Sequence, residues 1–371
     1  AVRVTGQIDG ASGSNTVAGH NVANVWTLTG ANEGTLAATG AGGNSSFTNI
    51  QALTGGTDDD TFAFQTGGSV TGAIDGTAGG TNSITYSGNS VDATVNLLSS
   101  TATSTGGFSN ISAFTGGTGT CSAVGTNAGQ AWTVSAVDTF SATGASFTDF
   151  ENLTGGTGDD TFTIGAETAR LTGTIDGGSS GTATLLGADF EASWNITDDD
   201  TVTYTISGQS GTSCVNIDAM TGGSGDDTFY LADQKTVSSS IDGGTGTNTF
   251  SYVAFTTAVS VNLQTGAATN ITGTLTNIQV FAGGTTASDT VIGTNAGQTW
   301  IGTGANAFNA VSSYAFTNFE NLTCGTGTNT FTMNDETASL SGTLSGGSGT
   351  TSLIGANYTN GWAVTSAGGG V

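Results

Sequence analysis

The chain contains no proline, and only three of its 371 residues are lysine or arginine. There is one histidine, two methionines and three cysteines. No apolar run approaches the ~20 residues that a membrane-spanning helix needs. Runs with helical spacing are missing, and no Ser-x-x-Glu cap precedes an apolar stripe. Each absence excludes something. Proline removes a backbone donor, so a chain without it can hydrogen-bond strand to strand throughout. Three cations against 28 acids, a formal charge of −25, leave nothing to neutralise phosphates, which excludes nucleic acid and an anionic membrane surface as partners. Such a charge favours bound cations and solubility, and copies repel one another unless cations intervene. Cys121, Cys214 and Cys324 align internally with Ser288, Ser46 and Gly155. They make neither a repeating disulfide framework nor a metal site, and are expected as small buried residues. Charged residues are 8% of the chain, so Thr, Ser, Asn and Gly must cover the surface, yet 18 Phe at recurrent places set it apart from disordered chains.

What is present is repetition. The five tryptophans each stand seven positions after a glycine, in GHNVANVW (Gly19–Trp26), GTNAGQAW (Gly125–Trp132), GADFEASW (Gly187–Trp194), GTNAGQTW (Gly293–Trp300) and GANYTNGW (Gly355–Trp362). Trp26, Trp194 and Trp362 are evenly spaced, and the same interval separates Trp132 from Trp300. A fixed period marks units that bury their apolar faces against neighbours. We therefore expect super-repeats at 1–168 and 169–336, the start of a third at 337–371, and one continuous elongated body. VTGQIDG (Val4–Gly10), LTGTIDG (Leu171–Gly177) and LSGTLSG (Leu340–Gly346) align. The sequence thus starts at Ala1 and stops in mid-pattern, without a signal peptide, as a piece of a longer array would.

A second marker interleaves with the first. It reads FTNIQALTGG (Phe47), FSNISAFTGG (Phe108), FTDFENLTGG (Phe147), VNIDAMTGG (Val215), LTNIQVFAGG (Leu275) and FTNFENLTCG (Phe316). Within these modules Gly-Gly turns recur at a near-constant interval, as from Gly155 to Gly177 and from Gly222 to Gly243, each followed by an alternating run such as TFTI or TFYL. Alternation marks half-buried strands, and the Gly, Asn and Asp clusters mark turns. The expected fold is all-β: a parallel β-helix (β-solenoid) of about 20–22 residues per coil with no substantial helix. Thr and Asn ranks would face outward and aromatic stacks inward. A string of β-sandwiches is the competing architecture, disfavoured because the modules vary in length by about one coil.

At GTNAGQ-A/T-W, FENLTGGTGDDTFTI and TTAVSVNLQTGAATN (Thr256–Asn270) the chain resembles giant bacterial secreted and surface repeat proteins of filamentous-haemagglutinin and haemolysin-type-repeat character. The resemblance spans nearly the whole chain. It implies an exported β-solenoid serving in adhesion, aggregation or cell coats. It also implies calcium, since GGTGDDTF (Gly155) and GGSGDDTF (Gly222) fit the haemolysin-type turn G-G-x-G-x-D, and GGTDDDTF (Gly55) departs from it only at Asp58. By that resemblance Asp60, Asp160 and Asp227 are the candidate calcium ligands, on turns opened by Gly55, Gly155 and Gly222. The family stacks such turns in tandem, whereas each stands alone here, and Asn329 replaces the Asp in GTGTNTF. The competing reading has Asp and Asn closing turns by side-chain-to-backbone bonds.

Other chemistry is thin. Arg3, Arg170 and Lys235 are the only strong bases a polysaccharide lyase could use. Asp58–Asp60 and Asp198–Asp200 could pair as hydrolase acids, but acid triplets also serve as solvated loop ends. His20 aligns with Ala188 and Ala356. Trp could face sugars or form a core ladder. The sequence-based expectation is an extracellular structural protein without enzymatic activity, forming an adhesin stalk, filament or cell-surface coat. It would be secreted or surface-bound, self-associate head-to-tail or laterally, and face a host or matrix surface. The alternatives are a carbohydrate-binding or polysaccharide-degrading β-helix and a calcium-dependent surface layer.

Overall fold

The computed structural model describes residues 4, 6–40, 43–286, 288–311, 313–334, 336–356, 364–366 and 369–370. Among them there is no helix. Two compact units emerge, Ala1–Thr184 with Thr212–Val215 and Leu185–Gly211 with Asn216–Val371. Each is an all-β parallel β-helix.

The coil follows from alternation. In Thr61–Gln65 (TFAFQ), Phe62 and Phe64 are buried while Thr61, Ala63 and Gln65 are half-exposed. In the two-strand coils, consecutive strands belong to different sheets. Ala52–Thr54 and Ala73–Asp75 pair in one sheet, while Thr61–Gln65 and Ser83–Gly88, which follow each of them, pair in another. One coil is therefore two strands and two turns. Leu53 pairs in parallel with Ile74, and Phe62 with Ile84, each partner one coil further along the chain. In the second unit Phe229 pairs with Phe250, and Leu322 with Leu344, at the same coil length.

Other coils are longer, and the extra chain has a defined shape. Trp26 pairs in parallel with Phe62, well beyond the reach of a two-strand coil. The surplus forms an antiparallel excursion within the sheet: Asn24–Gly30 pairs with Glu33–Ala38, which pairs with Ser45–Thr48. The same excursion recurs as Ala131–Ala136, Thr139–Ala142 and Ala145–Thr148. It returns in the second unit as Thr299–Gly304, Ala307–Ala310 and Tyr314–Thr317. Its first two strands also occur at Ala192–Asp198 and Thr201–Ile206. The tips carry Asn32, Asp138, Asp200 and Asn306 at positive φ (57°, 49°, 47° and 50°). Asn and Asp tolerate this left-handed conformation best among residues with a side chain.

Register then builds the core. In the second unit Trp194, Phe229, Phe250, Phe281, Phe316 and Phe308 lie over one another on successive strands. Trp194 stacks on Phe229 with centroids 5.1 Å apart, and Phe281 on Phe316 at 5.3 Å. The first unit has the matching rank Trp26, Phe62, Ile84, Phe114, Phe147 and Phe140. Each such aromatic contact adds about 0.5–1.5 kcal/mol beyond its buried area. Outward ranks are hydroxyl-rich, with Thr85, Thr115 and Thr148 in register and Ser83 bonded to Thr61 at 3.1 Å.

Candidate functional site

The second marker owes its Asn or Asp to one corner. Asn49, Asn110, Asp149, Asn216, Asn277 and Asn318 all have φ between 54° and 57°. The corner also ties coils together. Asn49, Asn110 and Asn277 each donate Nδ2 to the Asp of an Ile-Asp-Gly segment, namely Asp9, Asp75 and Asp242, at 2.8, 2.8 and 2.7 Å. Those bonds hold the carboxyls of Asp9 and Asp75 below the usual carboxylate range.

The glycine–aspartate turns lie on the inner side of the coil. Asp60, Asp160 and Asp227 are at most 1% exposed. In each, Oδ2 accepts the N–H of the second glycine: Gly56 at 2.5 Å, Gly156 at 2.9 Å and Gly223 at 3.1 Å. Oδ1 turns to the preceding strand, accepting from Asn24 N at 2.9 Å, Gln130 N at 2.8 Å and the Trp194 indole at 3.3 Å. The double glycine has a steric cause. A Cβ on Gly55, Gly155 or Gly222 would run into the Asp carboxylate, and one on Gly56, Gly156 or Gly223 into a backbone carbonyl of the neighbouring coil.

Sequence reasoning missed a fourth member of this set. Asp289, in GGTTASDT, is fully buried and accepts from Gly284 N at 2.6 Å and Val259 N at 2.9 Å. Its spacing from the glycine pair is one residue longer than in the other three, which hid it. Asn329 completes the series without a charge. Its Oδ1 accepts from Gln298 N at 3.0 Å while Nδ2 donates to Gly325 O and Gly327 O.

These turns continue as a ladder of side-chain oxygens on backbone N–H groups. Asp60 N donates to Asn82 Oδ1 at 3.0 Å. Asp227 N donates to Asn248 Oδ1 at 2.9 Å, and Asn248 N to Gln279 Oε1 at 2.7 Å. Asp289 N donates to Glu320 Oε2 at 3.0 Å. Cys121 N donates to Glu151 Oε2 at 2.6 Å. Burial pushes the Asp227 carboxyl up to about 6, against the lowering effect of its bonds from Trp194 and Gly223.

Calcium needs a cage of converging oxygens. Both oxygens of Asp60, Asp160 and Asp227 instead face N–H donors, whose positive ends repel a cation, and neutral Asn329 occupies the equivalent place. The donor set fits a turn-closing carboxylate and does not fit a calcium ion. Among the described residues no three His, Cys, Asp or Glu side chains converge as metal ligands would.

Most of the other candidate acids are engaged in similar ways, while Asp58 is exposed. Asp59, Asp159 and Asp226 cap the next coil through Thr81 N, Thr182 N and Thr247 N at 2.6, 2.8 and 2.7 Å. Asp198 pairs with Lys235 at 2.7 Å, Asp199 accepts from Thr236 N at 2.9 Å, and Asp200 accepts from Ser238 N at 2.7 Å. Arg170 donates Nη1 to Thr168 O at 3.5 Å, and His20 is exposed. Arg3 and Trp362 lie outside the described residues. Trp26, Trp132, Trp194 and Trp300 are fully buried, so they form core and offer no surface to a sugar. All three thiols are free and buried, and burial raises Cys324 to about 11.

No protein-family model matches the chain, and no curated protein matches it.

Proposed function

We propose that the chain is a structural segment of a secreted or cell-surface repeat scaffold, an adhesin stalk, filament or coat, without enzymatic activity. One observation carries this reading. The buried acids of the glycine–aspartate turns, and the acids Asp59, Asp159, Asp226, Asp199 and Asp200, are engaged in turn-closing and coil-to-coil bonds, and the same bonds recur. Tip residues Asn32, Asp138, Asp200 and Asn306 accept from Thr71 N, Thr172 N, Ser238 N and Ser341 N at 2.9, 2.7, 2.7 and 2.8 Å. A module repeated with its hydrogen bonds intact suits load-bearing, because each copy resists separation of strands in the same way.

Self-association, end-to-end or lateral, is the partner interaction this function calls for, with a host or matrix surface as the outer contact. The charge of −25 makes association depend on screening. Sedimentation velocity across protein concentration and salt tests it. The reading expects larger species that grow with both variables. A single monomeric species throughout would contradict it.

A further inference from the structure

The two super-repeats offer an internal comparison. Phe108 and Leu275 open the same marker, and each pairs in parallel with an isoleucine, Ile74 and Ile241. In the first copy the Phe108 ring lies edge-on to Phe114 with centroids 5.2 Å apart. In the second copy leucine leaves that place without a ring. The neighbouring excursion changes as well. Ala142–Phe147 reads ATGASF, whereas Ala310–Phe316 reads AVSSYAF, one residue longer, with Tyr314 where Ala145 stood. Ala145 is buried, while Tyr314 reaches toward Phe281 at a centroid distance of 6.3 Å.

Aromatic bulk has thus moved from one strand to another without filling the space it left. A crevice of about 370 Å³ remains, lined by Val261, Leu275, Ile278, Phe281 and Tyr314 together with Thr and Asn residues. Val261, Leu275, Ile278 and Phe281 are at most 7% exposed. Every lining residue is uncharged.

We propose that this crevice binds a small, uncharged, planar aromatic molecule of phenol or indole size, which occupies the volume that the Phe108 ring takes in the other super-repeat. The crevice is half open, with Thr and Asn residues beside its apolar ones, so an aromatic guest would bury its ring against the apolar part and leave its edge among the polar groups. Tyr314, the more exposed ring of the lining, is available for offset stacking, while Phe281 is already stacked on Phe316. The strongly negative chain disfavours anionic aromatics.

The test titrates the whole chain with phenol, indole and 2-naphthol by saturation-transfer NMR, with circular dichroism confirming the fold of each variant. The wild type binds phenol and indole saturably. Leu275→Phe restores the first copy's ring, abolishes that binding and raises the melting temperature. Tyr314→Ala, the first copy's residue at the second position, widens the crevice and raises the affinity for 2-naphthol relative to phenol by roughly tenfold. Absence of saturable binding by the wild type overturns the proposal, as does wild-type affinity in Leu275→Phe. Should Leu275→Phe fail to fold, Tyr314→Ala decides, and an unchanged naphthol-to-phenol ratio overturns it.

Discussion

Burial, with a smaller push from the neighbouring Asp226 charge, raises the Asp227 carboxyl although its bonding partners are N–H groups. Its folded pKa of about 6 stands above the ordinary 3.8. Between these values the native state keeps a proton that the unfolded chain has lost. The resulting stabilisation is fully present below the unfolded value and is lost as pH rises through about 6. Asp227→Asn removes that dependence, and Asn329 shows that the fold accepts an amide at such a turn. Urea midpoints for wild type and variant, compared at about pH 4.5 and about pH 7.5, should converge at the acid end and favour the variant at the neutral end. Parallel pH profiles would show that the carboxyl is not raised. The Asn110 corner gives a second residue-scale expectation. Asn110→Ala and Asn110→Gly both lose the bond to Asp75, but only alanine meets the penalty of φ 54°. Alanine should therefore be less stable than glycine by about 1 kcal/mol in chemical denaturation.

The antiparallel excursion is the element that gives each module its length. Its tip is held by side chains as well as backbone: Thr172 Oγ1 lies 2.9 Å from Asp138 Oδ2. A double-mutant cycle of Asp138→Ala and Thr172→Val should give a coupling of about 0.5–1.5 kcal/mol, and none if the tip is held by backbone alone. This element marks the limit of what the sequence made legible. Alternation in TFAFQ and the near-constant spacing of glycine pairs exposed the two-strand coil, because inward residues must recur wherever coils stack. Alternation is blind to strand direction, however, so the Trp-bearing strand and its antiparallel return looked like ordinary coil. The tips, Ala31–Glu33 or Val137–Thr139, lack the Asn-Gly or Asp-Gly pair that announces a hairpin. The glycine–aspartate turns were visible, but their pattern fits a calcium turn and a buried cap equally well. Only the direction of the carboxylate, toward N–H groups, separates the two.

At the scale of the whole molecule, polar groups and aromatic rings both serve the contact of one coil with the next. If the buried aspartates close turns as described, chelator should leave the thermal transition unchanged, and added calcium should act no differently from equal ionic strength of another divalent salt. A chelator-sensitive transition measured by calorimetry would restore calcium to these turns. The central claim is parallel stacking in a fixed register, and paired cysteines test it most directly. Thr85 and Thr115 face each other on adjacent strands, while Ser83 and Thr115 are out of step by two positions. Disulfides form only between Cα atoms within about 7 Å. Under mild oxidation Thr85→Cys with Thr115→Cys should cross-link fully and Ser83→Cys with Thr115→Cys should not. Cross-linking of the second pair in place of the first, or of neither, would contradict the stacked-coil account.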